Sequence, residues 1–284
     1  MKFICPIKVN MNLHVLSKRK DNYHNLQSLV VFVGGGDVLS FDAEAHPQSR
    51  NTGPLQVQGP FAGSVPMDDT NSILRAHRAF EEAVGYPVAG RWHLEKTVPV
   101  GAGLGSASAN AAGALRLLQE IHPLHEDTIL SIGKTTGSDV PVCLLNQNTL
   151  MEGTGDHLTP TPDVKTPPLV IVFPNVFLST KAMFDRLSLG ASRFCEAMPI
   201  SVMKDILATQ NVFEPLACQQ APIVGEVLHT LRRTMGCQLA RLSGSGSACF
   251  GVYETQDQVA SASYYVKTCY PDMWVWPEVR DSIF

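Results

Sequence analysis

The chain has 284 residues, 44% of them hydrophobic and 17% charged, enough for one large domain or two ordinary ones, and two are expected. This composition leaves no room for a long disordered region. A formal net charge of -4 at pH 7 with no Lys/Arg cluster lacks the electrostatic footprint of phosphate-backbone binding, so no nucleic-acid partner is expected. The seven cysteines, at 5, 143, 195, 218, 237, 249 and 269, form no C-x-x-C pair and read as reduced, mostly buried thiols. From Met1 the chain runs straight into a strand-like segment, without a basic leader or a run long enough to cross a bilayer, so a cytoplasmic protein with no membrane partner is expected.

In chain order, Ile4 to Val15 and Gln27 to Val33 read as strands around the turn-prone stretch Ser17 to Asn22. Asp68 or Asp69 is placed to cap a helix reaching about Val84, since Ile73, Leu74, His77, Phe80 and Val84 share one face. A strand follows near Trp92 to Glu95, then a glycine-rich bend from Val98 to Gly105, then an Ala/Leu-rich helix from Ser106 to Ile121. Four prolines fall within residues 160–168, which favours extended structure and marks a domain boundary. Beyond it, Leu169 to Phe173, Gln238 to Leu242 and Ala248 to Tyr253 read as strands, and Thr180 to Leu187 and Ile223 to Met235 as helices. Strands and helices that alternate without regular interleaving point to an α+β fold.

The segment Pro99-Val-Gly-Ala-Gly-Leu-Gly-Ser-Ala-Ser-Ala-Asn-Ala-Ala112 feeds a glycine-rich loop directly into a helix. Gly101, Gly103 and Gly105 allow positive φ and close approach to a ligand, and the helix start offers free N–H groups to an anion. Ser106 and Ser108 add hydroxyl donors. A tight turn before a packed helix would use similar residues. The G-x-G-x-x-G spacing of a dinucleotide fold is absent, and Thr128 stands where a P-loop ending in Gly133-Lys134-Thr135 needs its first glycine. His122-Pro-Leu-His125 lacks the glutamate of a zinc protease motif, and no G-x-S-x-G elbow occurs.

Pro6-Ile-Lys-Val-Asn10, the glycine-rich loop and Leu242-Ser-Gly-Ser-Gly-Ser-Ala-Cys-Phe250 together resemble the three motifs of the GHMP small-molecule kinases. Asp21-Asn-Tyr-His-Asn-Leu-Gln27, Gly137-Ser-Asp-Val-Pro141 and Glu152-Gly-Thr-Gly155 make the chain similar to the 4-diphosphocytidyl-2-C-methyl-D-erythritol kinases of non-mevalonate isoprenoid synthesis. The resemblance spans nearly the whole chain, in the family's order. It implies a two-domain α+β fold, a ribosomal protein S5 domain 2-like N-terminal domain over 1–159 and a ferredoxin-like C-terminal domain over 160–284, with nucleotide and substrate meeting in the cleft between those domains. It further implies phosphorylation of the substrate's 2-hydroxyl from ATP with Mg²⁺, by a monomer or a weak dimer.

By the same resemblance, Asp139 orients and helps deprotonate the substrate hydroxyl, while Lys8 neutralises charge around Asp139 and the transferring phosphoryl group. Asn10, Gly244 and Ser245 belong to the substrate side. Tyr23 offers a flat face to cytosine, His24 polar atoms to its edge, and Phe184 an aromatic on the other side. Asn71, Lys96, Gly101, Gly103, Leu104, Gly105, Ser106, Ala107 and Ser108 belong to the ATP side. Ser106, Ala107 and Ala109 depart from the usual Gly, Gly and Ser; Ala109 removes a hydroxyl that could meet phosphate or metal, which leaves the protein ligands of Mg²⁺ unassigned. Val212 replaces an Asp beside Asn211. A kinase for another small alcohol, such as mevalonate or homoserine, would share the loop without needing Tyr23-His24. A noncatalytic ligand sensor on the same fold would be expected to lose Lys8 or Asp139.

Overall fold

The computed structural model describes residues 1–44, 53–188, 194–200 and 203–278. The chain divides into two compact units that interleave in sequence: residues 1–8, 35–100 and 105–146 form the first, and residues 9–34, 101–104 and 147–284 the second.

The first unit takes part of β1 (Lys2–Asn10) and part of β3 (His24–Asp42). Within it, Val38–Asp42 of β3 pairs antiparallel with β5 (Arg91–Glu95), which runs parallel to β4 (Leu55–Gln58). Helices α1 (Ser72–Val84), α2 (Ser106–Ile121), α3 (Glu126–Thr136) and α4 (Val140–Leu145) pack on one another. α1 buries the stripe Ile73, Ala76 and Phe80, as helical spacing demands. α2 is different: Ala109, Ala111, Ala112, Gly113 and Ala114 are all buried, so small side chains let neighbours approach it from several directions. A Cβ on Gly113 would stand 2.9 Å from both Cys5 Sγ and a Phe3 ring carbon.

A buried ion pair fixes the approach to the glycine-rich loop. Lys96 is 1% exposed and Asp37 0%; the Lys96 ammonium donates to Asp37 Oδ2, while Asp37 Oδ1 accepts from the backbone N–H of Thr97 at 2.8 Å and of Val98 at 2.9 Å. Burial pulls the lysine pKa down, and the carboxylate opposes that shift.

In the second unit, β2 (His14–Lys18) and β6 (Thr149–Gly153) both pair antiparallel with β3 residues, and β7 (His157–Pro160) pairs with β6. A separate antiparallel sheet has the order β11 (Trp274–Glu278), β8 (Leu169–Phe173), β10 (Cys249–Val252), β9 (Leu239–Leu242). Its core joins Val170, Val172, Leu242 and Cys249 to apolar residues of α5 (Thr180–Ser188), α6 (Glu214–Gln220), α7 (Pro222–Arg233) and α8 (Gln256–Cys269). All seven cysteines are free thiols. Among the described residues, no helix is long and apolar enough to cross a membrane.

Three expected elements shift. The single strand expected over Ile4 to Val15 is two, because Asn12 turns its side-chain oxygen onto the Leu29 N–H at 2.7 Å and takes the place of a ladder bond there. The second strand expected at Gln27 to Val33 extends through Asp42. The helix expected from Asp68 or Asp69 begins at Ser72, capped by Asn71.

Removing one partner of a buried ion pair strands the other charge, at a cost of about 3–5 kcal/mol. Asp37→Ala is therefore expected to lower the unfolding free energy in urea by at least that amount, and Asp37→Leu combined with Lys96→Met to recover only part of it, because the Thr97 and Val98 N–H groups lose their acceptor.

Candidate active site

Lys8 lies on β1 with its side chain only 5% exposed, and its ammonium donates to Asp139 Oδ2 at 2.6 Å; the aspartate side chain is 31% exposed. Two local features make the pair possible. Gly105 adopts φ +66°, and a Cβ there would stand 2.9 Å from Lys8 Cε, so only glycine lets the lysine stem lie against the loop. Asp139 caps α4, its carbonyl accepting from Cys143 N–H at 3.2 Å, which holds the carboxylate stem in place. Burial, with the Asp139 carboxylate adding to it, pushes the Cys143 thiol up to about 12, so no competing thiolate forms beside the pair.

Past Gly105, α2 opens with Ser106, Ala107 and Ser108, whose N–H groups have no carbonyl one turn behind them within the helix. The Ser106 hydroxyl turns back to Pro99 O at 3.3 Å, and the Ala107 carbonyl accepts from Ser72 Oγ at 2.7 Å. Ser108 is half-buried on the same turn. One turn further on, the buried Oδ1 of Asn110 has no hydrogen-bond partner. Its one mark in the sequence is that of a lone amide in a run of alanines.

Asn71 and Lys96 are fully occupied within the first unit. Asn71 Oδ1 accepts from Ile73 N–H at 2.8 Å and Leu74 N–H at 3.4 Å, and its Nδ2 donates to Pro66 O at 2.7 Å. Lys96 is bound to Asp37. Both look like free polar side chains in the sequence, because a cap and a buried pair leave no local mark that separates them from surface residues.

The second unit ties the first and third motifs and part of the loop into one knot. Ser243, fully buried, accepts from Asn10 N–H at 3.2 Å and donates to Gly103 O at 3.0 Å. Ala248 N–H donates to Ala102 O at 2.9 Å. Asn211 Nδ2 donates to Leu242 O and Gly244 O, both at 2.8 Å, and its Oδ1 accepts from Phe213 N–H at 2.9 Å. Gly103 and Gly244 must both lack side chains: a Cβ on Gly103 would strike Ser243 O, and one on Gly244 would stand 3.1 Å from Gly103 O and 3.2 Å from Asn10 Oδ1. Leu104 is buried beside them. Asn10 donates to Ser28 Oγ at 2.8 Å, while its buried Oδ1 has no partner. Ser245 Oγ bonds Thr180 Oγ1 at 2.8 Å. Ser243 and Asn211 escape sequence reasoning because their partners lie far off in the chain.

The three residues expected at the pyrimidine site lie in the same unit, and two of them, His24 and Phe184, are in ring contact. Tyr23 is 64% exposed after a tight turn in which Arg19 N–H donates to Tyr23 O at 2.8 Å. His24 lies 5.0 Å, centroid to centroid, from Phe184, whose other flank meets Phe213 at 4.8 Å. Phe194, a residue the sequence reading did not single out, is 6.4 Å from His24. Burial, with the Lys18 charge adding to it, holds the His24 pKa below the usual imidazole value, against the opposing Asp185 carboxylate, so the ring is neutral at pH 7.

The Asn71 geometry generates a direct test. Asn71→Ala removes an N-cap and should cost about 1 kcal/mol of stability, read as a lower denaturation midpoint, with the KM for the ATP that the resemblance implies changed less than twofold. A tenfold rise in that KM would show that the amide also serves the nucleotide.

Residues 71–147 match the family model for the GHMP kinases N terminal domain, and residues 201–272 that for the GHMP kinases C terminal. The 4-diphosphocytidyl-2-C-methyl-D-erythritol kinase of Paramagnetospirillum magneticum is 37% identical over 282 residues, covering 96% of this chain and 95% of its own. That of Dinoroseobacter shibae is 38% identical over 282 residues, covering 96% and 93%. A crystal structure of a 4-(cytidine 5'-diphospho)-2C-methyl-D-erythritol kinase superposes with a TM-score of 0.80 at 29% identity, covering 98% of each chain. With its ordered motifs, its Lys8–Asp139 pair and relatives of this similarity along its length, the chain belongs to the 4-diphosphocytidyl-2-C-methyl-D-erythritol kinase family of the GHMP kinases.

Proposed function

We propose that this protein transfers the γ-phosphoryl group of ATP to the 2-hydroxyl of 4-diphosphocytidyl-2-C-methyl-D-erythritol, the substrate its relatives are named for, in the non-mevalonate route to isoprenoid precursors. The observation that carries the proposal is the 2.6 Å contact between Lys8 and Asp139. Phosphoryl transfer asks a protein chiefly for alignment and electrostatic stabilisation. Asp139 accepts the proton of the attacking hydroxyl as the new O–P bond forms and the bond from the γ-phosphorus to the β-bridging oxygen breaks, releasing ADP. Lys8 aligns the carboxylate through their contact and places positive charge where the transferring group accumulates negative charge. The N–H groups of Ser106, Ala107 and Ser108, with the Ser108 hydroxyl, cradle ATP phosphates. Gly101, Gly103, Leu104 and Gly105 shape the loop around them. Asn71 and Lys96 act through structure, one starting α1 and the other holding the strand-to-loop junction.

Among the described residues, no group of three His, Cys, Asp or Glu could hold a metal ion. The donors present suit Mg²⁺, a hard cation that keeps several waters and is held mainly by substrate phosphates. The half-buried Asp139 would be a carboxylate within the proposed site for it, and Ala109 offers no hydroxyl. The bound ion would neutralise triphosphate charge.

On the substrate side, Tyr23 and Phe184 flank cytosine, neutral His24 hydrogen-bonds its edge, and Asn10, Gly244 and Ser245 meet the rest of the molecule. The domain division is 1–159 for an N-terminal, ATP-binding domain that also carries Asn10, Tyr23 and His24, and 160–284 for a C-terminal domain, a reading supported by family models that fall on either side of the boundary. The protein works in the cytoplasm as a monomer or a weak dimer, on a small molecule and not on nucleic acid.

ATP consumption by the purified protein with magnesium and 4-diphosphocytidyl-2-C-methyl-D-erythritol tests the proposal. Turnover is expected, falling about 10²–10⁴-fold in a folded Asp139→Ala variant. Turnover with mevalonate or homoserine alone would replace the substrate, and none with any alcohol would point to a sensor.

A further inference from the structure

Against the expectation of no Lys/Arg cluster, Lys18, Arg19 and Lys20 follow one another into the turn before Tyr23, and the structure separates their roles. Arg19 is committed to Asp21: its Nε donates to both carboxylate oxygens at 3.2 and 3.1 Å, and Nη2 lies 2.9 Å from Oδ2. Asp21 in turn accepts from Tyr23 N–H at 3.1 Å, so this pair shapes the turn. Lys20 lies in the turn itself. Lys18 is the last residue of β2, and its direct cross-strand partner is His24.

Residues directly opposite on antiparallel strands carry side chains on the same face, with Cβ atoms roughly 5 Å apart. Lys18 is exposed and makes no ion pair among the described residues. The nearby cation of α5, Lys181, is taken up by Asp185 at 2.6 Å. An unpaired ammonium therefore shares a face with the imidazole that Phe184 flanks at 5.0 Å. That His24 feels the Lys18 charge agrees with this placement.

We infer that Lys18 is a specificity-determining residue that binds the diphosphate of a pyrimidine nucleoside diphosphate whose base lies against Tyr23, His24 and Phe184. The inference rests on the reading of those three residues as the pyrimidine site and adds a group that this reading lacks. A flexible ammonium beside a base-reading face suits a charged tail attached to the base through a ribose: it supplies a point charge without demanding one geometry. An ammonium–phosphate contact is a charge-assisted hydrogen bond, stronger than a neutral one, and being exposed it weakens with salt.

The experiment compares cytidine with cytidine 5'-diphosphate by titration calorimetry on the full chain, in wild type, Lys18→Ala, Lys18→Arg and Tyr23→Ala. Wild type is expected to bind the diphosphate about tenfold more tightly than the nucleoside at low salt, a preference that shrinks as salt is raised. Lys18→Ala should reduce the preference to about twofold with cytidine binding unchanged, which also reports an intact fold, and Lys18→Arg should restore most of it. Tyr23→Ala should weaken both ligands alike. If Lys18→Ala keeps the full preference while Tyr23→Ala weakens both ligands, the role of Lys18 is wrong and the pyrimidine site stands. If Tyr23→Ala changes neither, the pyrimidine site is wrong and the inference falls with it.

Discussion

A lysine ammonium that is nearly sealed from water needs an acid within reach, and much of the first unit is arranged to give Lys8 one. Burying an unpaired charge is among the costliest things a fold can do. β1 carries the lysine inward, Gly105 gives up its side chain so that the stem can pass, and α4 presents Asp139 at its start. The aspartate side chain remains 31% exposed, so the contact satisfies the buried charge without sealing the carboxylate from water, as the proposed role of Asp139 as a base requires.

The second unit uses neutral hydrogen bonds for a comparable purpose. Ser243 joins the Asn10 backbone to the Gly103 carbonyl, and Asn211 holds the two carbonyls on either side of Ser243. Four segments distant in sequence meet in these few bonds. The unpartnered oxygens of Asn10 in this unit and of Asn110 in the other are two of five buried side-chain polar atoms without a partner among the described residues, and a buried acceptor without a donor costs roughly 1–3 kcal/mol.

What could be read from the sequence was chemistry concentrated in short segments. The glycine-rich loop and the helix from Ser106 to Ile121 emerge as expected, since glycine spacing and an alanine-rich run act locally. Lys8 and Asp139, 131 residues apart, became a pair only through the family resemblance. Composition could not separate Asn71 and Lys96 from surface residues, because what defines them is a cap and a buried partner, Asp37. The break at Asn12 was hidden because a side chain there replaces a backbone bond. α8 and β11 went unread: α8 buries only Val259, Ala262, Ser263 and Val266, a weak apolar stripe, and β11 carries a proline. Lys18 was missed because strand register, not composition, sets it opposite His24.

The central claim is that Lys8 and Asp139 act as one catalytic unit. A double-mutant cycle on kcat with Lys8→Met, Asp139→Asn and the combination, each confirmed as folded, tests it most directly. Groups that act together lose their effect together, so the double variant should be little slower than the slower single one. Rate losses that multiply, with the double variant slowed by the product of the two single effects, would contradict the account and make the 2.6 Å contact a structural one.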